Sequence, residues 1–187
     1  MEINEQYFFN YFNELSNKCA SMDPSKLLAV ADLIKKTATA GGKVILAGNG
    51  GSAAMASHVA VDLVKAASIR AINFNEADLI TCLANDFGYE HWMQKAIEYY
   101  ANPFDLIILI SSSGNSKNII NAAKYSRDNN LNLITLSGFS SNNLLKDLGV
   151  INLWVDSHSY NVVELTHQTW LLSVVDFIIN ANKSKKH

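Results

Sequence analysis

The sequence predicts an α/β fold in which helices cover both faces of a central five-stranded parallel sheet, with an extra helix at the N-terminus. Five short apolar runs alternate with longer stretches that have helical periodicity. Continuous apolar runs are typical of strands buried on both faces of a parallel sheet, whose connecting helices cover it from either side. This alternation predicts a three-layer α/β/α sandwich.

Two helices are predicted ahead of the sheet. Residues 2–19 carry apolar and aromatic side chains near helical spacing, which predicts an N-terminal helix over residues 1–20. Its aromatic character predicts contact with a partner subunit. Asp23 and Pro24 form an N-cap and first-turn signal for a second helix, which should stop at Gly41 and Gly42.

The remaining elements follow from the same periodicities. Strands are predicted at 44–47, 69–74, 105–111, 131–137 and 150–155. Helices are predicted from Ser52 onward and at 76–84, 91–101, 116–129, 142–148 and 160–182. The polar tail 183–187 should be frayed, and residues 1–187 are expected to form one domain.

The bulk composition narrows the class of protein. The chain has 187 residues, 49% hydrophobic and 17% charged, with a net charge of −2. No basic excess points to a nucleic-acid partner, and no long apolar run or leader-like start points to a membrane. Two cysteines, Cys19 and Cys82, are expected to be buried free thiols. We therefore expect a cytoplasmic protein.

A glycine-rich loop follows the first predicted strand. Gly48, Gly50 and Gly51 allow the backbone to approach a ligand closely, and Ser52 is expected to cap the next helix. A glycine loop that opens a helix is a common anion-binding arrangement. The loop therefore predicts a phosphate site, although a glycine turn that serves only packing stays open at this point.

The same loop also fits a second kind of site. Gly48, Gly50 and Ala53 match the dinucleotide fingerprint, which alone is a weak signal. That fingerprint needs an acidic residue at the end of the second strand, where Asn73 and Asn75 stand instead. Dinucleotide binding is therefore the less favoured alternative.

A serine-rich loop, Ser111–Ser116, follows the third predicted strand. Its hydroxyls and backbone N–H groups precede a helix that Ser116 should cap, which again favours anion binding by neutral donors. If its strand neighbours the first, the two loops meet at one crevice, where open α/β sheets bind ligands.

Three segments together resemble a known family. Gly48–Ser52, Asn85–Gly88 and Ile110–Ser116, in this order and spacing, are similar to the SIS (sugar isomerase) family, and specifically to its phosphoheptose isomerase branch. The resemblance covers residues 41–179. It implies a flavodoxin-like SIS domain that converts sedoheptulose 7-phosphate to a heptose 7-phosphate for lipopolysaccharide or capsule biosynthesis. It also implies a cytoplasmic homotetramer or homodimer with sites between subunits, often containing zinc.

The resemblance implies which residues bind the sugar phosphate. The serine loop and Ser52 would hold the phosphate, and Asn49 and Asp86 would lie near the sugar. The full predicted substrate-binding set is Asn49, Gly50, Gly51, Ser52, Asp86, Ser111, Ser112, Ser113, Asn115 and Ser116.

Isomerisation through an enediol needs a base and a group that polarises the carbonyl. His58 and Asp62 share one helix face, and Glu164 and His167 share another. His58, Asp62 and Glu164 are the predicted catalytic residues. A histidine one turn from a carboxylate is half of a metal site, so His58, Asp62, Glu164 and His167 are candidate zinc ligands, although such pairs are also common helix stabilisers.

Three positions depart from the family pattern. Asp62 stands where the family has a glutamate, Glu164 where it has a glutamine, and Leu172 where it has a metal-binding histidine. The zinc site is therefore expected to be absent or rebuilt, and a metal-free carboxylate base is an alternative. A non-catalytic SIS module, acting as a sugar-phosphate-binding regulator or a tetrameric protein-binding scaffold, remains a second hypothesis.

Overall fold

A five-stranded parallel sheet forms the centre of the protein, seen in a computed structural model that describes residues 5–184. The strands are β1 Val44–Gly48, β2 Ala71–Asn73, β3 Leu106–Ser111, β4 Asn132–Ser137 and β5 Ile151–Trp154. They lie in the order β2-β1-β3-β4-β5, and all neighbours are parallel. The predicted five-stranded parallel sheet is thus confirmed.

Helices cover both faces of this sheet. They are α1 Glu5–Ala20, α2 Pro24–Thr39, α3 Gly51–Lys65, α4 Ala77–Phe87, α5 Trp92–Tyr100, α6 Lys117–Asp128 and α7 Tyr160–Ser184. Alternate strand residues divide between two apolar clusters, so that Leu46 and Ile108 face one layer whereas Ile45 and Ile107 face the other. Every residue of β1 and β3 is buried, as expected of central strands.

The sheet register places the two polar loops side by side. Gly48, the last residue of β1, pairs with Ile110 of β3. The glycine loop and the serine loop therefore leave the same edge of the sheet from neighbouring strands, which confirms the expected crevice at their carboxyl ends.

A buried carboxylate ties the strands together at the opposite edge. Asp105 is 1% exposed and accepts hydrogen bonds from the backbone N–H groups of Lys43 and Asn102, both at 2.8 Å. The Lys43 ammonium group also contacts this carboxylate. The contacts fix the start of β1 against the start of β3.

Helix α1 is attached to α7 and to the loop that precedes it. The Trp170 indole N–H donates to the Cys19 carbonyl oxygen at 2.8 Å, and the Ser157 hydroxyl donates to Glu14 at 2.8 Å. No side chain of α1 is buried within the described chain. Its aromatic residues Tyr7, Phe8, Phe9 and Phe12 are all more than half exposed.

The structure corrects several boundary predictions. Residues 142–148 form turns and no helix, because the Asn143 side chain accepts from Lys146 N and donates to Ser140 O. Gly50 rather than Ser52 occupies the N-cap of α3. Cys82 is exposed and Cys19 half-buried, so neither is the buried thiol expected.

The chain ends differ in part from the predictions. Helix α7 continues through Lys183 to Ser184, so these residues of the predicted frayed tail are helical, while residues 185–187 and 1–4 lie outside the described residues. By length and composition, Tyr160–Lys183 could cross a membrane. Its Trp170, Val174 and Ile178 lie in the apolar core under the sheet, as in the core helix of a globular protein.

Candidate functional site

The candidate site lies where the glycine loop, the serine loop and the start of α7 converge. A cavity of about 320 Å³ here is lined by Tyr11, Gly51, Met55, Asn161, Glu164, Leu165 and Gln168. Helices α1, α3 and α7 each contribute to its wall. A larger cavity, about 660 Å³, runs beside edge strand β5 and shares no lining residue with it.

The Glu164 carboxylate lies directly against the start of α3. A Cβ atom built on Gly51 would collide with this carboxylate, so Gly51 is the residue that leaves room for it. The neighbouring Gly50 has a φ of +53°, a conformation that residues with a side chain rarely adopt. The two glycines thus serve different purposes: one turns the backbone and the other admits the carboxylate.

The environment of Glu164 suits a base. Burial raises the pKa of Glu164 above its usual value, and the hydrogen bond from Ser112 opposes this only in part. The Ser112 hydroxyl lies 3.4 Å from Oε1 of Glu164. A carboxyl group with a raised pKa is a better proton acceptor than an ordinary surface carboxylate.

The serine loop is held in shape by its own side chains. The Ser111 hydroxyl donates to Ser116 Oγ at 3.1 Å, and Ser113 Oγ accepts from the Asn115 backbone N–H at 3.2 Å. Ser116 occupies the predicted N-cap position of α6, but its side chain makes no capping hydrogen bond. The first turn of α6 therefore keeps N–H groups available for an anion.

The segment after β4 supports the serine loop from outside. Gly114 has a φ of +66°, and a Cβ atom there would collide with Asn143. The side-chain Oδ1 of Asn115 accepts from the Leu144 backbone N–H at 3.2 Å. Asn115, predicted to bind substrate, thus has a structural contact that holds the loop.

His58 and Asp62 are brought together as predicted. Nε2 of His58 lies 3.5 Å from Oδ2 of Asp62, and both side chains are partly exposed. On the other side of the ring, Nδ1 of His58 lies 2.9 Å from Nε2 of Gln168. Since an amide nitrogen can only donate, His58 Nδ1 accepts, and the ring proton of the neutral imidazole is on Nε2, toward Asp62.

His167 lies apart from this pair. It is completely buried, and its Nε2 lies 3.0 Å from the Ser137 carbonyl oxygen. Burial lowers the pKa of His167 to about 4, although the hydrogen bond to the Ser137 carbonyl oxygen opposes the shift. Nδ1 of His167 is buried without a hydrogen-bond partner among the described residues. Among the described residues, His167 belongs to no group of three or more side chains placed to hold a metal ion, and its role as a ligand beside Glu164 stays a prediction.

The predicted substrate residue Asp86 lies on α4, outside the glycine and serine loops. It is exposed in the last turn of α4, where its carboxylate accepts from the Asn85 side chain at 2.9 Å. Its described contacts stay within α4. Its role near the sugar stays a prediction.

Sequence reasoning missed three side chains at this site. Gln168 contacts His58, while Asn118 and Tyr89 both bind the Asn49 side chain. Gln168 lies one helical turn beyond Glu164, and this spacing could have indicated it. Asn118 and Tyr89 gave no comparable signal, because their contact with Asn49 depends on the packing of distant segments.

The structure weakens the dinucleotide alternative. Strand β2 ends at Asn73, and the Asn75 side chain donates to Ala53 O and Ser57 Oγ of α3 at 2.8 and 2.7 Å. An amide that secures a helix occupies the region where a ribose-binding acid is required.

Comparison with known proteins identifies the family. Residues 7–138 match the SIS domain family. A phosphoheptose isomerase of Chlorobium limicola is 31% identical, with 94% of this chain and 87% of the relative aligned. A probable phosphoheptose isomerase of Thermoplasma acidophilum is 32% identical over 85% of this chain and 90% of its own length. The chain belongs to the phosphoheptose isomerase family of SIS domain proteins.

Solved structures support the fold of this phosphoheptose isomerase family member. The phosphoheptose isomerase of Neisseria gonorrhoeae superposes with a TM-score of 0.84 at 24% identity, covering 95% of this chain and 98% of the other. That of Francisella tularensis gives 0.85, also at 24% identity, covering 94% and 96%. The predicted SIS-type three-layer architecture is confirmed.

The described residues of this family member do not assemble a complete zinc site within one chain. Among residues 5–184, no group of three or more His, Cys, Asp or Glu side chains is placed to hold one metal ion. His58 and Asp62 supply two suitable donors, whereas a tetrahedral zinc site has four. Leu172 offers no donor atom. The predicted four-residue set His58, Asp62, Glu164 and His167 is thus not brought together.

Proposed function

We propose that the protein is an aldose–ketose isomerase that converts sedoheptulose 7-phosphate to a heptose 7-phosphate. One observation carries this proposal: a carboxylate with a raised pKa, Glu164, lies between the glycine loop and the serine loop. A proton-accepting group is thus adjacent to two loops suited to a sugar phosphate. Membership in the phosphoheptose isomerase family supports the choice of substrate.

The phosphate is proposed to bind at the serine loop. Ser111, Ser112, Ser113 and Ser116 surround the start of α6, where the helix dipole favours a negative charge. This end of the ligand is held by neutral donors, so binding needs no lysine or arginine. The sugar chain would then extend toward Asn49 and Glu164.

Glu164 is proposed to move the proton between carbons. Its carboxylate takes a proton from C1 of the open-chain ketose to form an enediol and returns it to C2, while the hydroxyl proton passes from O1 to O2. His58, whose proton lies on Nε2 beside Asp62, is proposed to assist this oxygen-to-oxygen transfer. Each proton that leaves the substrate thus returns to it, which completes the isomerisation.

His58 and Asp62 are the only residues proposed to bind zinc. The proposed mechanism includes no step that uses the metal. A metal there would need ligands beyond those that residues 5–184 of one chain provide. Turnover should therefore survive treatment with a chelator. Loss of turnover on chelation, with recovery on adding zinc, would show that further ligands complete the site.

The assay of Glu164→Gln tests this function. Turnover of sedoheptulose 7-phosphate, followed by NMR, should fall by about 10²-fold or more, because the amide cannot accept the proton. Burial raises the pKa of Glu164, so this carboxylate becomes protonated at a higher pH than an ordinary carboxylate. As the pH is lowered, wild-type activity should therefore start to fall at a higher pH than it would with an ordinary carboxylate as the base.

Two controls accompany this variant. Glu76→Gln, at the N-cap of α4, should keep full turnover because its side chain makes no capping bond. Stabilisation of Glu164→Gln by the sugar phosphate in thermal unfolding should persist, since the serine loop is intact. Wild-type-like turnover by Glu164→Gln would contradict the assignment of the base.

A sugar-phosphate-binding regulator is the second candidate. The incomplete set of metal donors favours it, whereas the two intact loops count against a scaffold that binds protein alone. A wild-type protein that the sugar phosphate stabilises without being turned over would select this candidate.

The assembly and cellular setting are part of the proposal. The exposed aromatic row of α1, Tyr7, Phe8, Phe9 and Phe12, is proposed as a contact between copies of the chain in a homotetramer or homodimer. We place the enzyme in the cytoplasm, and its product in lipopolysaccharide or capsule biosynthesis.

A further inference from the structure

Asn49 and Asn118 form a reciprocal pair of side-chain amides between the two ligand loops. Nδ2 of Asn49 donates to Oδ1 of Asn118 at 3.0 Å, and Nδ2 of Asn118 donates to Oδ1 of Asn49 at 2.8 Å. The Tyr89 hydroxyl donates to the same Oδ1 of Asn49 at 3.3 Å. Asn118 is 3% exposed, so its half of the pair is closed to water.

These contacts use most of the hydrogen-bonding groups of the Asn49 side chain. An amide oxygen has two lone pairs, and those of Asn49 are occupied by Asn118 and Tyr89. The amide nitrogen has two N–H groups, and one is bound to Asn118. The half-buried Asn49 side chain thus retains one free donor and no free acceptor toward the crevice.

We propose that Asn118 and Tyr89 are positioning residues that make Asn49 a one-donor group for an oxygen of the sugar. The inference rests on the proposed function, since it assigns the hydrogen-bonding polarity of a residue toward which the sugar is proposed to extend. A fixed N–H donor stabilises the negative charge that develops on this oxygen as the enediol forms. A free asparagine could instead rotate its amide and present either polarity.

The segment that carries Tyr89 is itself ordered for this contact. Gly88 turns the chain with a φ of +83° directly after α4, and the Glu90 carbonyl oxygen accepts from the Asn121 side chain at 2.9 Å. Asn121 lies on α6, the helix that also carries Asn118. The tyrosine hydroxyl is thus located by the same helix that supplies the partner amide.

Two substitutions test the proposal in the full-length protein. Tyr89→Phe removes only a hydroxyl from an exposed side chain, and Asn118→Asp keeps the side-chain shape but removes the donor to Asn49 Oδ1. The matched control is Tyr99→Phe, a tyrosine of similar exposure on α5. Each is measured for kcat/KM with sedoheptulose 7-phosphate by NMR and for the Kd of inorganic phosphate by calorimetry.

The expected result separates positioning from general damage. Tyr89→Phe should lower kcat/KM about threefold and Asn118→Asp about tenfold, the range of one lost hydrogen bond. The Kd of inorganic phosphate for Tyr89→Phe and the activity of Tyr99→Phe should stay at wild-type values. In an Asn49→Ala background, Tyr89→Phe should cause no further loss, because it acts through Asn49.

Other outcomes would overturn the proposal or the function separately. Suppose that the wild type is active. The positioning role, but not the isomerase function, would be refuted if neither variant lowers kcat/KM. It would also be refuted if Tyr89→Phe lowers kcat/KM as much in the Asn49→Ala background as in the wild type. If the wild type binds the sugar phosphate without turnover, its Kd replaces kcat/KM: weakening by both variants supports the positioning role while isomerase activity fails. A Kd that neither variant changes, or no binding at all, would refute both.

Discussion

At the scale of single residues, the contact between Gly51 and Glu164 is the most constrained feature of the site. The carboxylate occupies the space that a side chain on Gly51 would fill. The obstacle is the end of a flexible glutamate, so a methyl group there would displace the carboxylate without disturbing the backbone. Function should therefore be more sensitive than folding at this position.

Gly51→Ala tests this expectation. We expect turnover to fall by about tenfold or more, since small misplacements of a catalytic group are costly, while the melting temperature stays near that of the wild type. In contrast, Gly50→Ala should lower the melting temperature, because its φ of +53° strains a residue with a Cβ atom. Equal activity of Gly51→Ala and wild type would show that the carboxylate acts from another place.

His167 should make the fold sensitive to acid. Its pKa is about 4 in the folded protein, below the usual value of 6.5, so the unfolded chain binds a proton that the folded chain excludes. The contribution is complete above about pH 6.5 and is lost as pH falls toward 4, at up to about 1.4 kcal/mol per pH unit. Ring signals of His167 in NMR should not titrate above about pH 5. Titration of His167 near pH 6.5 would contradict its burial as a neutral ring.

Residue patterns predicted this site only in part. The glycine and serine loops were predictable because their amino acids restrict the backbone locally, and the pairing of His58 with Asp62 followed from helical spacing. The position of His167 away from His58 and Asp62 was not predictable. It results from the packing of its face of α7 against β4, which ends at Ser137. Local spacing does not report which face of a helix meets the sheet.

At the scale of elements, the starts of β1 and β3 depend on one buried acid. Asp105→Ala would leave two backbone N–H groups and the Lys43 ammonium without their partner. We expect the free energy of unfolding, measured with urea, to fall by about 2–4 kcal/mol. Asp32→Ala, which removes an exposed ion pair with Lys35, should have little effect. Similar losses in the two variants would refute a special role for Asp105.

Helices and strands were predicted correctly where the hydrophobic periodicity extends over many residues. The prediction failed where side chains form the hydrogen bonds that backbone groups would otherwise make within a helix. All five strands and seven of the predicted helices are found, with ends shifted by a few residues. The predicted helix at 142–148 is absent, because Asn143 hydrogen-bonds to the turns around it. The pattern of hydrophobic residues gives little information on whether a polar side chain will hydrogen-bond to nearby backbone groups.

At the scale of the whole molecule, the aromatic row of α1 should determine assembly. Replacing Phe8, Phe9 and Phe12 together with serine should lower the mass measured by light scattering, because these side chains are 55%, 65% and 62% exposed in the single chain. The paired change Tyr99→Ser and Phe104→Ser, at equally exposed positions away from α1, should leave the mass unchanged. An unaltered mass in the α1 variant would exclude this helix as the contact.

The position of Tyr11 gives the attachment of α1 a kinetic consequence. Tyr11 lines the cavity that contains Glu164, and the next residue along the chain, Phe12, belongs to the exposed aromatic row. A contact between copies at these aromatic side chains would hold one wall of the candidate cavity in a fixed position. Dilution that separates the copies would release this wall, so the rate per subunit would depend on how concentrated the enzyme is.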